Sequence, residues 1–224
     1  MEQKKRYDAV IFDFDGTLVD TGEGILKSLQ FAFKDNGRPV PALDDLKKFI
    51  GPPIYYSFTS FYGVPEDEVG NYIKSYRSRY KEKGIYECRL YDGMIETLQT
   101  LKTGGVKLGI ASSKPLHLIY DVMEVVGITA LFDAVVGTRL DDSRHLGKAD
   151  LVEESRQKLG VRDKTRVLMV GDRCFDIDGA AGAGVDSAGV LFGYGSREEF
   201  EAHGATHILA KATDLLPLVF SENP

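Results

Sequence analysis

The sequence predicts an α/β fold: a doubly wound, mainly parallel sheet with a small all-α segment inserted after its first strand. Three observations lead there. Short apolar runs recur at Ala9–Asp13, Lys107–Ala111, Ala134–Val136, Arg166–Val170 and Ser187–Val190. Several are continuous, the pattern of strands buried on both faces. Helical patterns separate them at Gly93–Lys102, Pro115–Val126, Lys148–Leu159 and Phe175–Ala183, an alternation that right-handed crossovers produce. Between about Asp20 and Tyr86 the alternation stops, and only helical patterns remain.

In that interval one pattern carries Ile25, Leu26, Leu29, Ala32 and Phe33 and ends near Asn36-Gly37. A second carries Val69, Tyr72, Ile73, Tyr76 and Tyr80 and ends at Gly84. Two shorter ones flank Gly51-Pro52-Pro53, which must interrupt any helix. The expected division is a core formed by residues 1–19 and 87–224 and a helical insertion over 20–86. Hinges are expected at Val19–Gly22 and Tyr86–Tyr91.

With 224 residues the chain can bury a core without staples. Its two cysteines, Cys88 and Cys174, form no C-x-x-C pair and suit a reducing compartment. No signal-peptide core or membrane-length apolar stretch is seen, so the expected location is the cytoplasm, with no membrane partner. A net charge of −6 gives no broad attraction to nucleic acid.

The chemistry-bearing residues fall at predicted strand ends, the edge where such sheets bind ligands. The first strand runs into Asp13-Phe14-Asp15-Gly16-Thr17. Asp13 and Asp15 share a face if the extended geometry persists, and Gly16 then lets the chain turn away. The competing reading is an Asx-rich turn before the next helix. The fourth strand ends in Gly171-Asp172-Arg173-Cys174-Phe175-Asp176, where Asp176 has a helix N-cap as its ordinary reading and Asp172 does not. Four carboxylates at one edge make a hard all-oxygen site suited to Mg²⁺. Ser112, in Ser112-Ser113-Lys114-Pro115, offers a hydroxyl and N–H groups before a helix, an anion-binding arrangement that is also an ordinary cap. Lys148 opens a helix against the macrodipole, which a nearby carboxylate or phosphate would explain.

In this order the segments resemble the haloacid dehalogenase-like hydrolases, a superfamily of aspartate-nucleophile phosphatases, over nearly the whole chain. Asp13-Phe14-Asp15-Gly16-Thr17-Leu18 matches the first motif, Ser112 the second, Lys148 the third, and Gly171-Asp172 with Asp176 the fourth. The insertion resembles the family's α-helical cap. Gly171-Asp172-Arg173, the segment Gly189–Ser196 and Ile50-Gly51-Pro52-Pro53 look like the phosphoglycolate phosphatase and 5′-nucleotidase-like branch.

The resemblance implies a Mg²⁺-dependent attack on a small-molecule phosphate monoester. Asp13 would be the nucleophile and form an aspartyl-phosphate; Asp15 would act as acid and then base. It implies metal binding by Asp13, the Asp15 carbonyl and Asp172, with Asp176 in support. Phosphate binding would fall to Ser112, Ser113 and Lys148 together with Phe14 and Asp15. A phosphosugar mutase or other phosphotransferase would use the same aspartates, and a non-catalytic binding protein could use the same scaffold. Asp15 and the acidic fourth segment favour phosphate over halide. A phosphonate hydrolase would need a Schiff-base lysine, for which Lys47 and Lys48 qualify by position only.

Eight of the eleven tyrosines lie between Tyr55 and Tyr91, as nucleobase platforms or as core packing of the insertion. Arg77, Arg79 and Lys81 suit either a second anionic group or a solvated face, and Arg144 and His145 sit where a loop could reach substrate. Monomer and homodimer are equally compatible with the sequence.

Overall fold

The computed structural model describes residues 5–52, 54–138 and 147–220. Six parallel strands form the sheet: β1 (Ala9–Phe12), β4 (Lys107–Pro115), β5 (Ala134–Thr138), β6 (Val167–Gly171), β7 (Asp186–Val190) and β8 (His207–Leu209). Their order is β5-β4-β1-β6-β7-β8, so the strand order reverses around β1. The register sets Ala9 opposite both Lys107 and Val167. Strand ends at such a switch point leave a crevice, and β1 delivers Asp13 into it.

Alternation along β1 explains why the sheet is covered on both faces. Val10 and Phe12 face a core shared with Leu108, Ile110 and the helices Met94–Thr103 and Leu116–Val126. Ala9 and Ile11 face the other way, toward Met169 and the helix Lys148–Leu159. Every residue of β1 is therefore buried, which accounts for its unbroken apolar sequence.

Three features depart from the sequence expectation, the first being the edge strand β8. The predicted hinges Val19–Gly22 and Tyr86–Tyr91 contain a two-stranded antiparallel ribbon, β2 (Val19–Asp20) with β3 (Arg89–Leu90). The second strand continues through Ser112, Ser113 and Lys114 to Pro115 instead of stopping at Ala111.

Between the ribbon strands every regular element among the described residues is helical. The helices Gly22–Asp35 and Val69–Glu82 pack together and enclose an aromatic cluster of Phe33, Phe58, Tyr62 and Tyr72. Short helical turns run from Leu43 to Phe49 and from Ile54 to Phe61. Pro53, between them, lies outside the described residues. Among the described residues no helix is long and apolar enough to cross a membrane.

Candidate active site

At the end of β1 extended geometry stops, and the two expected carboxylates part company. The Asp13 N–H donates to the Val170 carbonyl at 2.8 Å, holding the residue beside β6. Gly16 then turns the chain with φ of 85°. A side chain there would be strained by that conformation and would intrude on Asp172 Oδ2. Gly16→Ala is therefore expected to lower stability by about 1–3 kcal/mol and to displace Asp172. Thermal unfolding alongside an activity assay would check both effects.

Asp13, Asp172 and Asp176 converge, with ligand oxygens within 4.8 Å of one another. They are 6%, 1% and 2% exposed. Asp172 leaves β6 and is fixed by the Thr17 hydroxyl at 3.2 Å and the Tyr194 N–H at 2.9 Å. Asp176 lies in the first turn of the helix Cys174–Ala183, where its Oδ2 accepts the Arg173 N–H at 3.1 Å. Arg173, not Asp176, occupies the N-cap position. Asp176 therefore serves the helix start with one oxygen and turns the other to the carboxylate group.

Lys148, first residue of its helix, reaches into this group. Its Nζ donates to Asp13 Oδ1 at 2.7 Å and to the Ala111 carbonyl at 3.0 Å. It also pairs with Asp176 Oδ1 at 2.7 Å. The lysine stem rests against Gly179, where any side chain would collide with it. The explanation for a cation at this helix start is the pair of carboxylates it faces.

The electrostatics follow from burial and crowding. Desolvation, then the neighbouring Asp176 and Asp13, pushes Asp172 well above the usual carboxylate range. Desolvation also raises Asp176, to about 6, against the pull of Lys148. Burial alone would lower Lys148, but the Asp13 and Asp176 charges outweigh it and hold the ammonium above the ordinary lysine range. Three buried carboxylates thus crowd together, and the Lys148 ammonium pairs with two of them, Asp13 and Asp176.

Asp15 belongs to a second cluster. Its Oδ1 accepts the Thr21 hydroxyl at 2.6 Å. Lys114, 8% exposed, holds Oδ1 at 3.0 Å and Oδ2 at 3.1 Å. The same ammonium donates to the Tyr80 hydroxyl at 2.8 Å, and Tyr80 stacks on Tyr76 with centroids 5.5 Å apart. The sequence pattern assigns Lys114 no role. The available signal was a lysine two residues beyond Ser112 in a segment otherwise fit for burial.

The remaining predicted positions are mixed. Phe14 is fully buried in the apolar core, so only its backbone can serve a ligand. Ser112 is buried and accepts the Lys114 N–H through Oγ at 3.3 Å. Its helix does not begin until Leu116, with Pro115 at the N-cap, so neither Ser112 nor Ser113 sits at the helix N-terminus. The Ser113 carbonyl accepts the Thr138 hydroxyl at 3.1 Å. Arg79 is bound to Glu87 at 2.8 Å, whereas Arg77 and Lys81 are exposed. Lys47 and Lys48 are exposed as well, the latter over the Tyr62 ring at 4.6 Å. Arg173 Nη1 donates to the Ile50 carbonyl at 3.0 Å, a link from the β6 edge to the insertion. Arg144, His145 and Leu146 lie outside the described residues.

Acidic and ammonium groups gathered at the switch point of a parallel sheet form the equipment of an α/β enzyme of phosphate chemistry. The family model for haloacid dehalogenase-like hydrolases matches residues 10–190. A 5′-nucleotidase of Pseudomonas aeruginosa is 38% identical over 205 residues, covering 92% of each chain. Tyrosine-protein kinase PtkA of Mycobacterium tuberculosis is 34% identical over 205 residues, 91% of this chain and 69% of that one. Among solved structures, a predicted phosphatase from Clostridium acetobutylicum matches with TM-score 0.87 and 36% identity, covering 93% of this chain and 96% of its own. The chain belongs to the haloacid dehalogenase-like hydrolases, as a phosphoric monoester hydrolase.

Proposed function

We propose that the chain is a Mg²⁺-dependent phosphatase that cleaves a small-molecule monoester through an aspartyl-phosphate on Asp13. The observation that carries this reading is the buried trio Asp13, Asp172 and Asp176, with the Lys148 ammonium paired to Asp13 and Asp176. Such a cluster carries excess negative charge before a phosphate dianion approaches. Its ligand atoms are all carboxylate oxygens that converge within 4.8 Å, which fits a hard divalent cation. Asp13, the Asp15 carbonyl and Asp172 would hold the ion, with Asp176 in support. When bound, it supplies charge neutralisation at the phosphoryl oxygens.

The protein's own groups do the rest. Lys148 fixes Asp13 Oδ1 and orients the carboxylate for attack on phosphorus. Ser112, Ser113 and the backbone of Phe14 and Asp15 hold the phosphoryl oxygens, with Lys148 offsetting their charge. Asp15 protonates the leaving oxygen and then takes a proton from the hydrolytic water. Residues 20–86 act as a cap that excludes bulk water during turnover.

Likeness to a 5′-nucleotidase over 92% of the chain puts nucleoside 5′-monophosphates first among substrates, ahead of phosphoglycolate and sugar phosphates. A kinase or mutase activity would need an acceptor to outcompete water at the same aspartate. The net charge of −6 argues against a nucleic-acid partner, and two free cysteines suit the cytoplasm. A phosphate-release panel over these three substrate classes, with Mg²⁺ or with chelator, tests the reading. Absence of Mg²⁺-dependent release from every monoester would end it.

The raised carboxyls give a second expected result. Asp176 moves from 3.8 to about 6 on folding. A carboxyl raised in the folded state stabilises it below the unfolded pKa, and that contribution is lost as pH rises through the folded value. The metal-free protein should therefore lose stability as pH rises across this window, by on the order of a few kcal/mol. Mg²⁺ should restore it, raising the unfolding temperature more at about pH 7.5 than at about pH 5. Scanning calorimetry with and without the ion reads this directly.

A further inference from the structure

The Lys114 ammonium stands between two parts of the molecule. On one side are both oxygens of Asp15, at 3.0 and 3.1 Å. On the other is the hydroxyl of Tyr80, at 2.8 Å, carried by the insertion helix Val69–Glu82. An ammonium has three N–H donors, and these three acceptors account for them. Lys114 is thus engaged in holding groups in place rather than offering a donor to a ligand. Its surroundings restrict other positions: Tyr80 is fully buried, and the Lys114 Nζ lies 4.6 Å from the Tyr80 ring centroid. Tyr80 is in turn stacked on Tyr76.

Asp15 is also held from the hinge side by Thr21, immediately before the helix Gly22–Asp35. Two of the three side chains that fix this carboxylate, directly or through Lys114, therefore belong to the insertion or its hinge. Only Lys114 comes from the sheet.

We propose that Lys114 is a positioning residue for Asp15, and that Tyr80 makes this positioning depend on the insertion being seated over the sheet. With the insertion in place, Lys114 is drawn to a fixed point and Asp15 is aimed. With it displaced, Lys114 loses the Tyr80 hydroxyl and Asp15 loses its alignment. Acid/base function is thereby confined to the closed arrangement. The inference rests on the assignment of Asp15 as acid/base in the proposed phosphatase.

The test compares two substrates of the wild-type enzyme in Mg²⁺: an alkyl phosphate, whose alkoxide must be protonated as it leaves, and p-nitrophenyl phosphate, whose phenolate leaves unaided. For Lys114→Met, kcat/KM on the alkyl ester should fall about 10²-fold, a typical general-acid contribution, while the value for the aryl ester changes less than about threefold. Tyr80→Phe, which keeps the ring and removes the hydroxyl, should move the same ratio by about threefold to tenfold. Because Tyr80 acts through Lys114, the double variant should resemble Lys114→Met alone, a non-additive cycle. Lys114→Arg should recover part of the alkyl activity.

Equal losses on both esters, additive effects in the double variant, or no loss at all would overturn the proposal and leave the phosphatase reading standing. Failure of the wild type to release phosphate from either ester, or from any of the panel, would overturn both. Tyr80→Phe guards against misfolding of the lysine variant, because it deletes one buried oxygen and keeps the packing.

Discussion

Asp13→Asn should lower Mg²⁺-dependent phosphate release by about four orders of magnitude or more, the scale seen when a catalytic nucleophile is removed. An amide nitrogen or oxygen cannot form the acyl-phosphate, so no alternative covalent route remains. The substitution preserves shape and leaves an oxygen for the Lys148 Nζ, which now donates to Asp13 Oδ1 at 2.7 Å. The fold should therefore persist, and circular dichroism would establish it. Acid quenching with radiolabelled substrate provides a direct readout: label should remain on the wild-type protein and be absent from the variant. Retained turnover in Asp13→Asn would remove the nucleophile from this residue.

Lys148→Met is expected to have the second-largest effect, and it acts on stability as well as rate. Its loss leaves Asp13 and Asp176 without the ammonium 2.7 Å from each. Breaking a buried pair from one side costs about 3–5 kcal/mol, and losing an electrostatic contact in the site lowers kcat by about 10²–10³-fold. The stability loss should shrink in acid, because Asp172 and Asp176 already favour protonation and can shed their charge. Urea unfolding in chelator, at about pH 5 and about pH 7.5, separates the two conditions. A pH-independent loss would mean that the lysine acts through packing against Gly179 alone.

Much of the fold was legible because buried parallel strands need uninterrupted apolar runs. Ala9–Phe12 and Val167–Val170 are of that kind, and both are fully buried strands at the centre of the sheet. β8 escaped notice for the opposite reason: its three residues, His207–Leu209, form a half-exposed edge with no contrast to the flanking chain. The β2–β3 ribbon was also invisible, since pairing of two-residue segments about 70 positions apart depends on the helices between them. The acidic positions were legible through order and spacing. Their division into two clusters was not, because it depends on β1 ending at Phe12 and the chain bending at Phe14, so that Asp13 meets Lys148 and Asp15 meets Lys114.

Lys114 illustrates the boundary most clearly. Its sequence neighbours suggest a strand followed by a helix cap, a pattern that names no partner for a lysine beside Pro115. The strand instead runs on to Pro115, which turns the side chain inward toward the Tyr80 hydroxyl. Only the three-dimensional arrival of the helix Val69–Glu82 gives that charge a buried partner. Eight tyrosines in one stretch were readable as a count, yet their roles differ. Tyr62 and Tyr72 pack on Phe33, Tyr80 meets Lys114, and Tyr55, Tyr56 and Tyr86 are exposed.

The small ribbon has a consequence for how such a chain can change over time. It sets Val19 opposite Leu90 and Asp20 opposite Arg89, so the two ends of the inserted segment are pinned side by side. Loop-closure entropy grows only with the logarithm of length, and a clasp at the base makes the sheet still less sensitive to what lies beyond it. Residues can be gained or lost past the clasp while Ala9 stays opposite Lys107 and Val167. The strand bearing Asp13 is thus insulated from experiments in the segment that covers it. A lineage could remodel that covering to accept new leaving groups without rebuilding the strand.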